Sequence, residues 1–351
     1  MNGSSLKYPL RSRETNLEKV KMQQLKPVTF ISSLLVLAGI ATAASSFPQM
    51  LYPKDNLQSP EKIELGRQLF YDKRLSRDET ISCESCHLQK FAFSDGGKRV
   101  SKGIGGLEGT RNAPSLGNIG YRKSFFWEGG AKSLELQAVG PITAHDEMGM
   151  EPSDLVMRLN AIPEYSNAFK NVFDDGITMQ NVTRALSSFE RTLVTNSSAF
   201  DAYRAGDEKA LNASALRGMD LFFGERGDCF HCHGGFNFTD ESLHNTGIAL
   251  TYKDVGLARI SKEPVDVGAF KTPSLRNVTL TAPYMHDGSM KSLQVVLEHY
   301  NRGGQAHLNR DPLMRPLKLS KQELSDLIAF LSSLTDKKFV TNLSFAAPKT
   351  Q

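Results

Sequence analysis

Cysteine is scarce in this sequence, with four in 351 residues, and none lies outside two short motifs. The chain therefore has no disulfide-rich scaffold. Tryptophan is scarcer still, since Trp127 is the only one. Low-complexity tracts are missing and the apolar fraction of 40% is ordinary, so the composition indicates a globular protein of about two domains.

An excess of charge is also missing from most of the chain. The formal net charge is +4, but residues 1–43 contain six Lys or Arg against two Glu. Without them the chain has 36 basic and 36 acidic residues. This neutral body gives no electrostatic reason to expect a nucleic-acid partner.

Long apolar runs are missing after residue 43. Before it, a basic stretch, the apolar run Phe30–Ile40 and the small residues Ala41–Ala44 are typical of an export signal. We predict a signal peptide over residues 1–43, with Met22 as an alternative start. An uncleaved anchor is the alternative, although the run is shorter than the ~20 residues that span a bilayer. The expected location is the periplasm, without stable membrane insertion after cleavage.

The four cysteines occur as CESCH at residues 83–87 and CFHCH at residues 229–233. C-x-x-C-H is typical of covalent c-type haem attachment, in which both cysteines bind the porphyrin and the histidine ligates the iron. A zinc ribbon would need its two C-x-x-C pairs about 15–20 residues apart. Two haems are predicted, held by Cys83, Cys86 and His87 (haem one) and by Cys229, Cys232 and His233 (haem two).

An internal repeat surrounds these motifs. GRQLF and GMDLF each precede a haem motif, PSLGN at 114–118 matches PSLRN at 273–277, and KSL at 132–134 matches KSL at 291–293. The last two pairs share an offset of 159 residues. We predict a mainly α fold of two tandem cytochrome c-like haem domains. The expected boundaries are an N-terminal domain at 51–195, a polar linker at 196–212, a C-terminal domain at 213–335 and a tail at 336–351.

Two helices of the second domain can be predicted from local pattern. An apolar stripe at i, i+3, i+4 and i+7 indicates a helix closed by Gly303 and Gly304 and includes Leu293, Val296, Leu297 and Tyr300. His299 then lies at the edge of this stripe, with no assigned chemistry. Ser320 and Glu323 form the pattern of a capping box at the start of a closing helix.

At this offset, Tyr300 of the second copy corresponds to Pro141 of the first. A phenol can ligate iron, whereas proline cannot. If this helix lies over the haem, Tyr300 is a candidate sixth ligand of haem two and haem one has an open position. Tyr300 as a core aromatic is the alternative, and Met285, Met290 and Met314 are rival ligands.

Two side chains near Pro141 suit peroxide chemistry. Gln137 lies one helical turn earlier and Glu147 six residues later. Cleaving a peroxide O–O bond requires a proton to move from the inner to the outer oxygen, which a carboxylate can do while an amide orients the ligand. An exposed acid is the alternative for Glu147. His145 is a second candidate proton carrier, but it has no repeat counterpart, so a position at the surface or behind the distal residues is expected.

Over Pro53–Thr335 the chain resembles the bacterial dihaem cytochrome c peroxidase and MauG family. The shared motifs are both haem motifs, RNAPSL, FFWEGG, QAVGPI with EMGM, FERTLVT and TPSLRNVTLTAPYMHDGS. The resemblance implies peroxide chemistry at haem one, with Gln137, Pro141 and Glu147 as distal residues. It also implies that Trp127 lies between the haems. An interdomain calcium site is implied at the Asn112 side chain and the carbonyls of Thr281 and Pro283.

Two positions depart from the electron-transferring peroxidases of that family. Ile104 stands in GIGG, where members that need reductive activation have a histidine that blocks haem one. Haem one is therefore expected to be open in the resting protein. Tyr300 stands where those peroxidases have methionine and MauG-like members have tyrosine. An anionic oxygen ligand favours higher oxidation states of haem two, whereas methionine raises its potential.

These features predict a periplasmic dihaem peroxidase that uses hydrogen peroxide. Its electrons come from a redox protein, such as a small cytochrome c or a copper protein, in the first hypothesis. Peroxide-dependent oxidation of a protein substrate, as in MauG-like maturation enzymes, is the second hypothesis. A non-enzymatic electron carrier is the third. A homodimer is one assembly compatible with the sequence.

Overall fold

The computed structural model describes residues 47–349, so the predicted signal peptide lies outside the described residues. Within that range α-helices dominate and the strands form a single two-stranded antiparallel sheet, which confirms the mainly α prediction. The helices are α1 (Pro60–Tyr71), α2 (Leu134–Thr143), α3 (Pro152–Asn160), α4 (Pro163–Lys170), α5 (Met179–Glu190), α6 (Ala199–Arg204), α7 (Ala213–Phe223), α8 (Ala258–Ser261), α9 (Leu293–Arg302), α10 (Lys321–Ser332) and α11 (Lys337–Thr341). The strands are β1 (Leu243–His244) and β2 (Phe270–Lys271).

One close helix crossing organises each half of the molecule. Helix α1 packs against α5 in the first half, and α7 packs against α10 in the second. A Cβ on Gly66 would lie 1.9 Å from the Ala185 carbonyl oxygen, and one on Gly218 would lie 1.9 Å from that of Asp326. The glycines of GRQLF and GMDLF therefore allow two helix backbones to touch.

Each crossing encloses its own aromatic core. In the first half the rings of Phe70 and Phe189 lie 5.3 Å apart, and in the second those of Phe222 and Phe330 lie 5.0 Å apart. All four side chains are at most 2% exposed. Burial of each phenylalanine side chain contributes about 1.5–3 kcal/mol. The two halves are therefore stabilised by the same kind of aromatic contact.

The internal repeat extends to backbone detail. Helices α2 and α9 begin 159 residues apart. The hydroxyls of their N-cap residues, Ser133 and Ser292, each accept a hydrogen bond from the backbone N–H three residues later. Asn118 and Asn277 are both left-handed, at φ 58° and 60°. Residues at this offset can therefore be compared between halves as structural equivalents. Helix α9 ends at Arg302 and is capped by the left-handed Gly303, as the sequence pattern predicted.

The closing helix α10 starts with the predicted capping box. Ser320 Oγ accepts from the Glu323 N–H, and the Glu323 carboxylate accepts from the Ser320 N–H. Buried Leu324, Leu327 and Leu331 then face the second core.

Two segments contain more structure than the sequence predicted. The segment 196–212, expected to be a polar connection, contains α6, and Phe200 of that helix is buried in the second core at 7% exposure. The tail after residue 335 forms α11 and returns to the first half. There Phe339 and Phe345 enter the first core, and Tyr71 donates its hydroxyl to the Phe345 carbonyl at 2.6 Å. The three anchors are isolated aromatics in short segments, and such residues give no periodic signal.

Among the described residues, no helix combines the length and apolar character that crossing a bilayer requires.

Candidate dihaem active site

The first C-x-x-C-H motif lies on a 3-10 turn, Cys83–Ser85, that follows Ser82. His87 turns inward, and its Nδ1 lies 2.8 Å from the Phe93 carbonyl oxygen. Because a carbonyl only accepts, Nδ1 carries the proton and Nε2 is left with its lone pair. Burial lowers the pKa of His87, which favours the neutral ring that iron ligation needs.

The second motif repeats this arrangement. His233 Nδ1 lies 3.0 Å from the Phe238 carbonyl oxygen, and burial also lowers the pKa of His233. Phe93 and Phe238 share a positive φ, at 59° and 52°. All four cysteines are free thiols, with no disulfide within either motif. Each motif thus presents two thiols and one imidazole nitrogen, the donor set that a covalent c-type haem uses.

A large apolar cavity adjoins the second motif. Its lining includes Cys229, Cys232 and His233 together with Tyr300. The aliphatic walls come from α9, α10 and the preceding loop and include Leu275, Leu293, Val296, Leu297, Leu319, Leu324, Leu327 and Leu331. Such walls fit a flat apolar macrocycle. Met285 and Met314 also line the cavity, whereas Met290 is not among its lining residues.

The two rings of the His299–Tyr300 pair point to different places. Tyr300 faces the cavity, and burial raises its pKa, so the phenol is neutral unless a cation binds its oxygen. His299 is only 5% exposed, and its Nε2 lies 2.9 Å from the Thr246 carbonyl. His299 beside the apolar stripe is therefore a buried, hydrogen-bonded residue, and the helix pattern did not indicate this partner.

In the first half, α2 carries Pro141 at the position equivalent to Tyr300. Proline lacks the N–H that would donate to the carbonyl of Gln137, four residues earlier. Gln137 is partly buried on the same helix. The side chain of Pro141, the repeat counterpart of Tyr300, thus offers no metal ligand.

Glu147 follows α2 on a loop held by the GIGG segment. The Ile104 N–H donates to the Glu147 carbonyl at 2.8 Å, and a Cβ on Gly103 would lie 2.1 Å from the Asp146 carbonyl oxygen. Although Glu147 has an exposed surface, protein packed around its carboxyl, with Asp146 beside it, raises its pKa to about 7. Its charge acts on both Cys83 and Cys86, so it lies close to the first motif.

Ile104 is 2% exposed and packs with its Cδ1 against Gly149. An aliphatic chain fills this place and offers no ligand atom. His145, on the same loop as Glu147, has 88% of its side chain exposed and is a surface residue, as expected.

Trp127 lies where the two halves meet. Its Nε1 donates to the Asn112 carbonyl at 2.9 Å, and its own carbonyl accepts from the Lys271 N–H at 2.8 Å. Trp127, Asn112, Thr281 and Pro283 all line the cavity of the second motif. The Asn112 amide donates to the Lys98 and Arg99 carbonyls, both at 3.2 Å, so its Oδ1 is the atom it can offer a cation.

Sequence reasoning missed two ionisable groups beside the motifs. His244 lies at the cavity between Asp240, 2.8 Å from Nε2, and Asp311, 2.6 Å from Nδ1, so both ring nitrogens donate and the ring is an imidazolium. Glu190 is 6% exposed, and burial raises its pKa to about 8. One partner of His244, Asp311, is 67 residues away in sequence, whereas Asp240 is only four residues away. Glu190 was visible as the acid of the quoted FERTLVT motif.

The fold and the two motifs define a class, that of proteins with two covalently bound c-type haems. Comparisons with known proteins are more specific. A family model described as di-haem cytochrome c peroxidase matches residues 60–209. Methylamine utilization protein MauG of Methylorubrum extorquens is 42% identical over 287 residues, which covers 81% of this chain and 80% of that protein.

Cytochrome-c peroxidase IdrP1 of a Pseudomonas species (strain SCT) is 38% identical to this chain. The match covers 90% of this chain and 94% of that protein. The crystal structure of a MauG-like protein associated with microbial copper homeostasis superposes with a TM-score of 0.83 at 36% identity, covering 88% of this chain and 99% of that one. This chain therefore belongs to the dihaem cytochrome c peroxidase and MauG family. It is an oxidoreductase of the dihaem peroxidase type, and the family implies two c-type haems.

Proposed function

We propose that this chain is an exported peroxidase that reduces hydrogen peroxide in its N-terminal half. When bound, the two haems supply the irons that exchange electrons with peroxide and with the donor. Haem one would be held by the first motif, and haem two by the second with Tyr300 as sixth ligand. The observation that carries the proposal is the asymmetry of equivalent positions, with Pro141 on α2 and Tyr300 on α9.

This asymmetry divides the work between the halves. On the second half, the Tyr300 phenol shares a cavity with His233, and the methionines Met285 and Met314 remain its rivals. In the first half, the Pro141 side chain has no atom that could ligate a metal. The buried side chain of Ile104, in the neighbouring GIGG loop, is an alkyl group and also offers no ligand. Haem one would therefore be open to a small substrate without prior activation.

Glu147 and Gln137 would assist cleavage of the O–O bond. Reduction of one hydrogen peroxide consumes two electrons and two protons and releases two waters. The Glu147 carboxylate would accept the proton of the inner oxygen and return it to the outer oxygen, while the Gln137 amide holds the substrate by hydrogen bonding. A pKa of about 7 suits both steps, since an acid–base group works best near the ambient pH.

Trp127 and a calcium ion would connect the halves. Trp127 is placed at the interface, where its indole would relay charge between the haems. Calcium would be held by Asn112 Oδ1 and the carbonyls of Thr281 and Pro283, which are oxygen ligands of the kind calcium prefers. Elemental analysis of protein purified without chelator should find one calcium per chain, and its absence would remove this site.

Peroxide-dependent oxidation of a protein substrate is the second candidate function. It is favoured by Tyr300 and Ile104, because an oxygen ligand on haem two favours its oxidised state and an open haem one needs no reducing electron first. The neutral charge of the chain after residue 43 gives no electrostatic preference for a particular donor or substrate protein.

One titration separates these functions. Stoichiometric hydrogen peroxide is added to the resting diferric protein while its visible spectrum is followed. Rapid turnover only with a reduced cytochrome c or copper protein supports peroxide removal, and a long-lived spectral change without donor supports oxidation of a protein. A spectrum that does not respond to peroxide, with no donor oxidation, contradicts both.

We also propose a periplasmic location, which rests on the signal-like sequence of residues 1–43. N-terminal sequencing of secreted protein should begin at Ala44 or Ser45.

A further inference from the structure

The two halves meet through a reciprocal pair of backbone hydrogen bonds. The Asn112 N–H donates to the His286 carbonyl at 2.7 Å, and the Lys271 N–H donates to the Trp127 carbonyl at 2.8 Å. Asn112 and Lys271 are separated by the repeat offset of 159 residues, and so are Trp127 and His286. These two hydrogen bonds are therefore related by an internal two-fold symmetry, and positions at this offset can be compared across the interface.

This symmetry relates Lys271 to the proposed calcium site. On one side the ligands would be the Asn112 side chain and the Pro283 carbonyl. Their counterparts at the repeat offset are the Lys271 side chain and the Ser124 carbonyl. Lys271 Nζ donates to that Ser124 carbonyl and forms an ion pair with Glu241. An ammonium group thus lies where the repeat would place a second calcium ion.

The Ser124 carbonyl and the Glu241 carboxylate form a largely buried site around this ammonium. The side chain of Lys271 is 4% exposed and that of Glu241 is 14% exposed, so neither charge is satisfied by water alone. Arg122, the counterpart of Thr281, adds a second cationic side chain to the lining of the same cavity. Two positive side chains leave no electrostatic need for a metal ion on this side.

We propose that Lys271 is the permanent cation of a second interdomain site, and that it positions the loop of Trp127 as calcium would position the opposite loop. The comparison with calcium rests on the proposed function, whereas the role of Lys271 in holding the loop does not. The ammonium joins β2 of the second half to Ser124 of the first, three residues before Trp127. Unlike calcium, this tie cannot be removed by a chelator.

The loop role is tested by amide hydrogen exchange in the holoprotein. Lys271→Met keeps the length of the side chain and removes its charge and donors. Exchange in residues 123–131 should then rise on the order of tenfold or more, because breaking a buried ion pair is costly. Lys123→Met, at an exposed lysine of the same loop, is the matched control and should leave exchange unchanged.

The cation role is tested by exchanging the residues of the two sides. In the double variant Lys271→Asn with Arg122→Thr, the second side carries the same residue types as Asn112 and Thr281. Calcium content should increase by one ion per chain relative to the unaltered protein. Added calcium should restore slow exchange in residues 123–131, and a chelator should abolish it. A merely structural lysine would not produce this chelator-sensitive signature.

The outcomes separate this inference from the calcium proposal. If Lys271→Met and Lys123→Met exchange alike over 123–131, the positioning role is overturned. If the double variant gains no calcium although the unaltered protein holds one, the equivalence of the two sites is overturned. If the unaltered protein holds none, the calcium proposal fails, while faster exchange in Lys271→Met would still support the positioning role.

Discussion

The two halves of this molecule share a scaffold and differ at the residues that face the predicted haems. The scaffold is repeated in the glycine crossings at Gly66 and Gly218 and in the His–carbonyl bonds of His87 and His233. The difference is concentrated where α2 carries Pro141 and α9 carries Tyr300. The repeated unit thus keeps the parts that stabilise it and differs at the position where we propose a ligand of haem two.

The largest predicted effect concerns the acid present only in the first half. Glu147→Gln should lower peroxide turnover by about 10²–10⁴-fold, because the amide cannot accept a proton. Turnover of the unaltered enzyme should rise with pH through about 7, as the carboxylate form of Glu147 becomes populated, and the variant should lose this dependence. Steady-state kinetics from pH 5 to 9 measures both.

Glu164→Gln, an exposed acid on α4, is the control and should keep the activity and its pH dependence. Equal kinetics for Glu147→Gln and the control would show that Glu147 is an ordinary surface acid.

Tyr300→Met tests the ligand present only in the second half. The thioether should raise the potential of haem two, within the range of about 0.8 V that axial ligands cover, and change its low-spin spectrum. Tyr284→Phe, at a second tyrosine of the same cavity, should leave both unchanged. Spectroelectrochemical titration measures the potentials. An unchanged low-spin spectrum in Tyr300→Met would reduce Tyr300 to a packing residue.

The shared scaffold predicts equal effects in both halves. Gly66→Ala and Gly218→Ala should each lower the free energy of unfolding by about 1–3 kcal/mol, because the added Cβ meets a backbone carbonyl 1.9 Å away. Gly109→Ala has its nearest atom 3.9 Å away and is the control. Chemical denaturation measures the change, and a harmless alanine at either crossing would contradict the equivalence.

The smallest effect is expected at the two matched helix starts. Ser133→Ala and Ser292→Ala each remove an N-cap acceptor, whose bonds to Leu136 N and Val295 N measure 3.2 and 3.3 Å. Each should cost about 1 kcal/mol of stability. Denaturation midpoints that shift for one serine alone would show that α2 and α9 are not capped alike.

Local pattern was enough to predict the mainly α fold, both haem motifs and the helices α9 and α10. The repeat offset brings Pro141 and Tyr300 into register from the sequence alone, because it is carried by short identical motifs. The two missed segments, α6 with Phe200 and the tail with Phe339 and Phe345, are held by one or two aromatics that enter a core. One or two residues show no periodicity, so only the tertiary structure reveals such contacts.

The candidate site was predictable to a similar degree. Motif residues and their equivalents could be named, whereas side-chain partners from distant segments could not. Lys271 contacts Ser124, 147 residues away, and His244 contacts Asp311, 67 residues away. The burial of His299 was missed for a related reason: its partner is the Thr246 carbonyl, which the pattern of its own helix cannot indicate.

The electron paramagnetic resonance spectrum of the resting diferric protein tests most directly whether the two halves differ in coordination. The expected result is two components of equal weight: a high-spin signal from an open haem one, and a low-spin signal from haem two with His233 and Tyr300 as ligands. A purely low-spin spectrum would contradict it, because haem one would then have a sixth ligand that neither Pro141 nor Ile104 can supply.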